Sequence, residues 1–164
     1  MANIPIYTKP VVNRADYLEA LRRELEELAP ALFVTLVFNR STTLESAIKA
    51  LDHFHACVDN ALLGSKWAKP NRRSRRTRFL AIAENVGSNL HLHLGVVPAD
   101  RKNLQFWQVS RRIWKNAATS GNIDMDQWRY GPGAIDYMLK QVRPELSENI
   151  HYSRHYEAGR SAGC

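Results

Sequence analysis

The sequence predicts an α+β fold in which helices cover one face of a central antiparallel sheet of about four to five strands. Strand-like segments alternate with segments of helical periodicity in the order β-α-β-β-α-β-α, after an N-terminal helix. Two of these strands are joined by a turn short enough to make them an antiparallel hairpin. The chain has 164 residues, of which 45% are hydrophobic, and this suits one domain with its own core.

The first part of the chain alternates helix and strand. Residues 14–28 carry leucines at helical spacing and charges elsewhere, which predicts an amphipathic helix that Pro30 ends. The segment "ALFVTLVF", residues 31–38, is rich in β-branched and aromatic residues and predicts a buried strand. Capping residues in "NRSTT" then precede a long helix over 44–64, which ends at Gly64.

The second part of the chain predicts a hairpin, two helices and a further strand. The strands are expected at 77–84, 90–97 and 122–128, and the helices at 103–117 and 133–142. No repeat or interior linker divides the chain, so we expect one domain over residues 1–164, with its core at about 31–143. Residues 144–164 predict no defined element and are interpreted as a polar tail.

Positive charge is concentrated in residues 66–78, "KWAKPNRRSRRTR", here called the basic segment. It contains seven cations and no acid, and the other Lys and Arg residues equal in number the 16 Asp and Glu residues. The formal net charge of +7 can therefore be assigned to this segment, which predicts contact with nucleic-acid phosphates. The alternative is a solvated loop without a partner. The candidate DNA-binding residues are Lys66, Trp67, Lys69, Arg72, Arg73, Arg75, Arg76 and Arg78.

The remaining composition favours a soluble cytoplasmic protein that does not enter membranes. No apolar run is long enough to span a bilayer, and the first residues lack the layout of a signal peptide. The two cysteines, Cys57 and Cys164, do not form a CxxC pair, so a disulfide framework is not expected.

The predicted hairpin brings two histidines and a carboxylate together. With Gly-Ser of "NVGSN" at its tip, Glu84 pairs with His91, and His93 lies two residues further along the same face. The opposite, buried face then carries the leucines Leu90, Leu92 and Leu94. Glu84, His91 and His93 could bind a divalent metal and leave positions open for water or phosphate. The alternative is that the histidines are solvated strand residues. A second H-x-H pair, His53 and His55, lies in a predicted helix, where its members face apart, and is assigned to packing or surface.

A tyrosine and a lysine lie one turn apart in the last predicted helix. Tyr137 and Lys140 are three residues apart and share a face with Gln141. A tyrosine can be a covalent nucleophile, but its ordinary pKa of about 10 means that it needs help from a nearby cation. The alternative is an amphipathic helix with a packed tyrosine and a solvated lysine.

Three segments together resemble the HUH single-strand endonucleases, in particular the nicking domains of rolling-circle replication initiators. "FVTLVFN" at 33–39 is similar to the first motif of that family, "HLHLG" at 91–95 to its histidine–hydrophobe–histidine signature, and "YMLK" at 137–140 to its single-tyrosine motif. The resemblance extends from about residue 31 to residue 143. It implies a ferredoxin-like or RRM-like sandwich.

The resemblance also implies a chemistry for these residues. Glu84, His91 and His93 would bind a divalent metal, Mn²⁺ or Mg²⁺. Tyr137 would attack a phosphodiester of single-stranded DNA, and Lys140 would help to place the phosphate and steady the phenolate. The products would be a 5′-phosphotyrosine and a free 3′-hydroxyl, formed without a nucleotide cofactor. The basic segment would hold a hairpin origin or the single strand beside the nick, with Trp67 stacking on a base.

The sequence departs from that family in two respects that leave its biological role open. Many replication initiators carry a helicase domain, whereas this sequence ends at Cys164, so a host helicase is a candidate partner. Gln141 also completes a Y-x-x-x-Q pattern that is similar to small HUH transposases. The same residues are compatible with a DNA-binding regulator without catalysis or with an RNA-binding protein. The DNA target and the oligomeric state are not predicted.

Overall fold

A computed structural model of the protein describes residues 13–129 and 132–153. The helices lie where hydrophobic periodicity and capping residues predict them. Asn13 caps the first helix and Thr43 the second, and each side chain accepts a hydrogen bond from a backbone N–H of the first turn. The helices are α1 (Arg14–Leu28), α2 (Leu44–Leu63), α3 (Asn103–Ala117) and α4 (Pro132–Leu139). The strands are β1 (Leu32–Val37), β2 (Arg78–Glu84), β3 (His91–Val97), β4 (Asn122–Gln127) and β5 (Ile150–Tyr152).

The strands form one open antiparallel sheet in the order β4-β1-β3-β2-β5. With helices packed on this sheet, the predicted α+β class is confirmed. Strand β1 lies between β3 and β4 and is therefore directly beside β3, the strand that carries His91 and His93.

Helices cover both faces of the sheet, so the expectation that they cover one face was wrong. Helices α2 and α3 pack on the face that contains Leu92 and Leu94, here called the leucine face. Helices α1 and α4 pack on the opposite face, here called the histidine face, against Leu80 and Ile82. Strands β2 and β3 are consequently buried on both sides, as is typical of central strands between two helical layers.

The β2–β3 hairpin has the predicted register, although its turn differs from the prediction. Glu84 pairs with His91 and Ile82 with His93. The turn is a β-turn in which the Ser88 N–H donates to the Asn85 carbonyl at 3.0 Å, so its centre is one residue earlier than Gly-Ser. The positive φ of 89° that this geometry requires at position 87 is available because that residue is glycine.

The segment after residue 143 contributes to the sheet, which the sequence did not predict. Strand β5 pairs with β2 at the edge of the sheet, so the sheet extends beyond the predicted core boundary. A strand of three residues, "IHY", is too short for a periodicity signal. In the described ranges, no helix has both the length and the apolar character needed to cross a lipid bilayer.

Candidate active site

The histidine face carries three of the predicted site residues at its centre. The pleat of β2 and β3 puts Glu84, His91 and His93 on this face. The His93 Nε2 atom lies 3.3 Å from Glu84 Oε2, and both side chains are buried. His91 is only partly buried, and its ring centroid is 6.4 Å from that of His93. Glu84 and His93 therefore form a close pair, with His91 beside it.

The orientation of the His93 ring is set by a threonine on the neighbouring strand. Thr35 of β1 pairs with His93, and its Oγ1 atom lies 3.0 Å from His93 Nδ1. A hydrogen bond at Nδ1 leaves Nε2 directed at Glu84. Burial lowers the pKa of His93 and Lys140 lowers it further, which outweighs the opposing effect of Glu84. His93 is thus favoured as a neutral imidazole, the form that binds metal ions.

Helix α4 carries Tyr137 and is held against the histidine face by α1. The Arg22 guanidinium of α1 donates to Asp136 of α4 at 2.6 Å, and the apolar sides of the two helices pack together. Tyr137 is 47% exposed, so its side chain can be reached from solvent. Its ring makes edge contacts with His93 and Phe33, at centroid distances of 5.1 and 5.9 Å. The Tyr137 ring thus contacts His93, one member of the Glu84–His93 pair.

Lys140 connects Tyr137 to Glu84. Helix α4 ends at Leu139, earlier than predicted, and Lys140 lies in the turn that follows. Its Nζ atom is 3.2 Å from Glu84 Oε2 and 3.6 Å from the centroid of the Tyr137 ring. Partial burial lowers the pKa of Lys140, but hydrogen bonding to Tyr137 and Glu84 outweighs burial and raises it above the ordinary value. The ammonium is therefore kept charged beside the phenol ring. The predicted neighbour Gln141 is exposed just after the helix.

The donor set of this site fits a divalent cation in part. Glu84 Oε1 is buried and has no hydrogen-bond partner among the described residues, so one carboxylate oxygen is available as a ligand. Adjacent ligands of an octahedral ion with bonds of about 2.1 Å lie roughly 3.0 Å apart, which is close to the 3.3 Å between Glu84 and His93. His91 does not complete the set: in residues 13–129 and 132–153, no group of three or more His, Cys, Asp or Glu side chains is arranged to hold a metal. Glu84 and His93 fit as ligands, whereas His91 would have to turn toward them.

The basic segment contains residues with internal contacts as well as exposed ones. Arg76 is only 8% exposed; its Nε donates to the Trp67 carbonyl at 2.9 Å, and its guanidinium lies 5.1 Å from the centroid of the Trp67 ring. Arg75 forms a bidentate ion pair with Asp100. Arg76 therefore holds the segment together, and Arg75 ties it to the residues after β3.

The other members of the segment remain candidate phosphate contacts. Residues 70–75 form a 3₁₀ helix, a conformation compatible with Pro70 at its first position. Arg78 is the first residue of β2, and its side chain lies on the histidine face. Lys66, Lys69 and Arg73 are exposed, and Trp67, Arg72 and Arg78 are partly buried.

Two residues that contact the site, Thr35 and Phe33, were not predicted as site residues from the sequence. Phe33 stacks on His93 with a centroid distance of 5.7 Å and meets Tyr137 at its edge. The alternation F-x-T in "FVTLVF" places both residues on one face of a strand. That face could be connected to the histidines only with the knowledge that β1 pairs with β3, a long-range pairing without a local signal.

Comparisons of the chain with models of protein families, with curated proteins and with solved structures found no match.

Proposed function

We propose that this protein nicks and rejoins single-stranded DNA with Tyr137 as nucleophile, as the HUH endonucleases of rolling-circle replication do. One observation carries the proposal: Lys140 lies against the Tyr137 ring and contacts Glu84, while the Tyr137 ring makes an edge contact with His93. An exposed tyrosine with a cation at its ring, next to a buried carboxylate–histidine pair, is suited to nucleophilic attack on a phosphodiester.

The reaction exchanges one phosphodiester for another. The Tyr137 hydroxyl oxygen bonds to phosphorus, and the bond from phosphorus to the 3′-oxygen breaks. The phenol proton is lost to solvent at this exposed position, and the departing 3′-oxygen takes up a proton. The Lys140 ammonium stabilises the phenolate and the charge on the phosphate oxygens. The return attack by a 3′-hydroxyl reverses these bond changes and seals the strand.

Glu84 and His93 are the residues that would hold a divalent cation, Mn²⁺ or Mg²⁺, with His91 as a third ligand after a change of side-chain rotamer. When bound, such a cation supplies positive charge to the phosphate oxygens of the substrate. Thr35 would position His93 rather than bind the cation. Its hydrogen bond to Nδ1 keeps the His93 ring in the orientation that points Nε2 at Glu84.

The basic segment supplies the second part of the proposed interface. Lys66, Lys69 and Arg73 are exposed cations with no acidic residue among them in the sequence. Such a segment attracts a polyanion without reading its sequence. The proposed substrate is therefore single-stranded DNA or the single-stranded part of a hairpin origin.

A labelled DNA pool tests this proposal. Oligonucleotides with a randomised single-stranded core and a fluorophore at the 3′ end are incubated with the protein and Mn²⁺, and the products are separated under denaturing conditions. Because a 5′-phosphotyrosine retains the downstream fragment, we expect the 3′ label on the protein, and no protein-bound label when the fluorophore is at the 5′ end. Tyr137→Phe should abolish the adduct, whereas Tyr17→Phe, a matched change on α1, should retain it. An adduct that persists in Tyr137→Phe would show that another residue is the nucleophile.

A DNA-binding protein without catalysis is the second candidate function. It is favoured by the contact between Lys140 and Glu84, because an ammonium ion occupies the carboxylate oxygen nearest to His93. For that function, binding to single-stranded DNA would fall with salt but would not respond to a chelator or to Tyr137→Phe, and no adduct would form.

A further inference from the structure

A cavity lies on the leucine face, away from Tyr137. It has a volume of about 520 Å³ and is bordered by α2, the β2–β5 edge and the basic segment. Its lining includes His55 of α2, Phe79 of β2, Trp67, Arg76 and Ser153. The prediction that His53 and His55 are packing or surface residues is confirmed, since His53 is exposed and His55 is buried.

Among the described residues, three buried polar atoms of side chains that line this cavity lack hydrogen-bond partners. Neither ring nitrogen of His55 has a hydrogen bond among the described residues, and neither has the Ser153 hydroxyl. His55 is 6% exposed and Ser153 5% exposed. An unpaired buried polar group is costly, so these three atoms are suited to pair with a ligand that enters the cavity.

The walls of the cavity are suited to a flat ring. The His55 ring stacks on Phe79 with a centroid distance of 4.0 Å and an interplanar angle of 18°. Trp67 supplies a second aromatic side chain, and the Arg76 guanidinium lies over it. Nucleobases that leave a helical stack are held by such aromatic surfaces and by hydrogen bonds to their edges.

Charged groups of both signs line the cavity, whereas its unpaired side chains, His55 and Ser153, are neutral. Burial lowers the pKa of His55 to about 3, so its ring offers one donor and one acceptor at neutral pH rather than a positive charge. Two carboxylates, Asp52 and Asp59, line the cavity together with two cations, Lys49 and Arg76, so its ionised groups do not favour an anion. A phosphate attached to the ligand would instead lie outside, near the exposed lysines Lys66 and Lys69.

We propose that this cavity binds one unpaired nucleobase of a nucleic-acid strand whose phosphates lie along the basic segment. The base hydrogen-bonds to His55 and Ser153. The cavity would add base recognition to the sequence-independent contacts of the lysines and arginines. This inference is independent of the nicking reaction, because the cavity lies on the other face of the sheet and its occupancy requires neither Tyr137 nor a metal.

Mononucleotide binding to the full-length protein tests this inference. The four deoxynucleoside monophosphates are titrated separately, and the imidazole resonances of His55 are followed by NMR. We expect at least one nucleotide to shift these resonances, and we expect Ser153→Ala and His55→Phe each to weaken its binding about tenfold, the effect of one lost buried hydrogen bond. The control is Asn60→Ala, which changes an exposed residue of the same helix outside the cavity lining and should bind as the wild type does.

Three results would overturn the inference. They are the absence of any shift, unchanged binding in Ser153→Ala, and equally strong binding of inorganic phosphate, which would indicate an anion site without base recognition. Ser153→Ala removes a single oxygen atom, so it keeps the test valid if His55→Phe does not fold. If no Tyr137 adduct forms, the nucleotide titration still tests the cavity. If no nucleotide binds, the adduct experiment still tests the nicking reaction.

Discussion

Mild acid is expected to destabilise the protein through His55. In the folded chain this ring is buried against Phe79, and burial lowers its pKa from 6.5 to about 3, with a further contribution from the charge of His151. Between pH 6.5 and about pH 3, His55 is therefore protonated in the unfolded chain and neutral in the folded chain. The stability contribution of the neutral ring is complete above pH 6.5 and is lost as the pH falls toward 3. Below pH 6.5 the slope is about 1.4 kcal/mol per pH unit, so a change from pH 7 to pH 5 lowers the free energy of unfolding by about 2 kcal/mol.

Urea denaturation at pH 7, 6 and 5 measures this effect when wild type is compared with His55→Leu. Other ionisable groups line the same cavity, namely Lys49, Asp52, His53, Asp59 and Arg76, and the Asp52 Oδ1 atom lies 3.1 Å from His151 Nε2. The comparison cancels contributions that both proteins share. His55→Leu should lose about 2 kcal/mol less than the wild type over this range, whereas His53→Leu, at the exposed position, should follow the wild type. Equal losses in wild type and His55→Leu would refute the assignment of the effect to His55.

Three further results are expected. Gly95→Ala should lower the free energy of unfolding by about 1–3 kcal/mol, because a β-carbon there would lie 2.9 Å from Pro30 Cγ; an unchanged urea midpoint would contradict this packing. Lys140→Met should slow adduct formation by roughly 100-fold, with partial recovery in Lys140→Arg, and wild-type rates in Lys140→Met would exclude the proposed role. Replacing Lys66 and Lys69 together by Ala should reduce the salt slope of single-stranded DNA binding by about 1.4, or about 0.7 for each phosphate contact; an unchanged slope would show that they do not contact phosphate.

The register of the hairpin could be predicted because it depends on local signals. The alternation of Leu with His in "LHLHL" assigns each residue of β3 to a face, and a short turn limits which residues of β2 can oppose them. The observed turn is centred one residue earlier, yet Glu84 still pairs with His91, because two residues, Asn89 and Leu90, lie between the turn and the start of β3.

The features that the sequence did not predict depend on long-range packing. The amphipathic pattern of α1 shows that one side is buried but does not say against which face of the sheet. The position of Thr35 beside His93 depends on the pairing of β1 with β3, 58 residues apart at that contact. Arg76 resembles the other cations of the basic segment in sequence, and only the folded chain distinguishes it as a buried residue that binds the Trp67 carbonyl.

The central claim is that Tyr137 forms a covalent bond to DNA, and mass spectrometry of the adduct tests it most directly. After nuclease and trypsin digestion, the nucleotide should be found on the peptide that spans residues 130–140, and fragmentation should assign it to Tyr137 rather than Tyr130. Attachment to Tyr130 or to a residue outside this peptide would contradict the account, as would the absence of any nucleotide-bearing peptide from the reaction with single-stranded DNA and Mn²⁺.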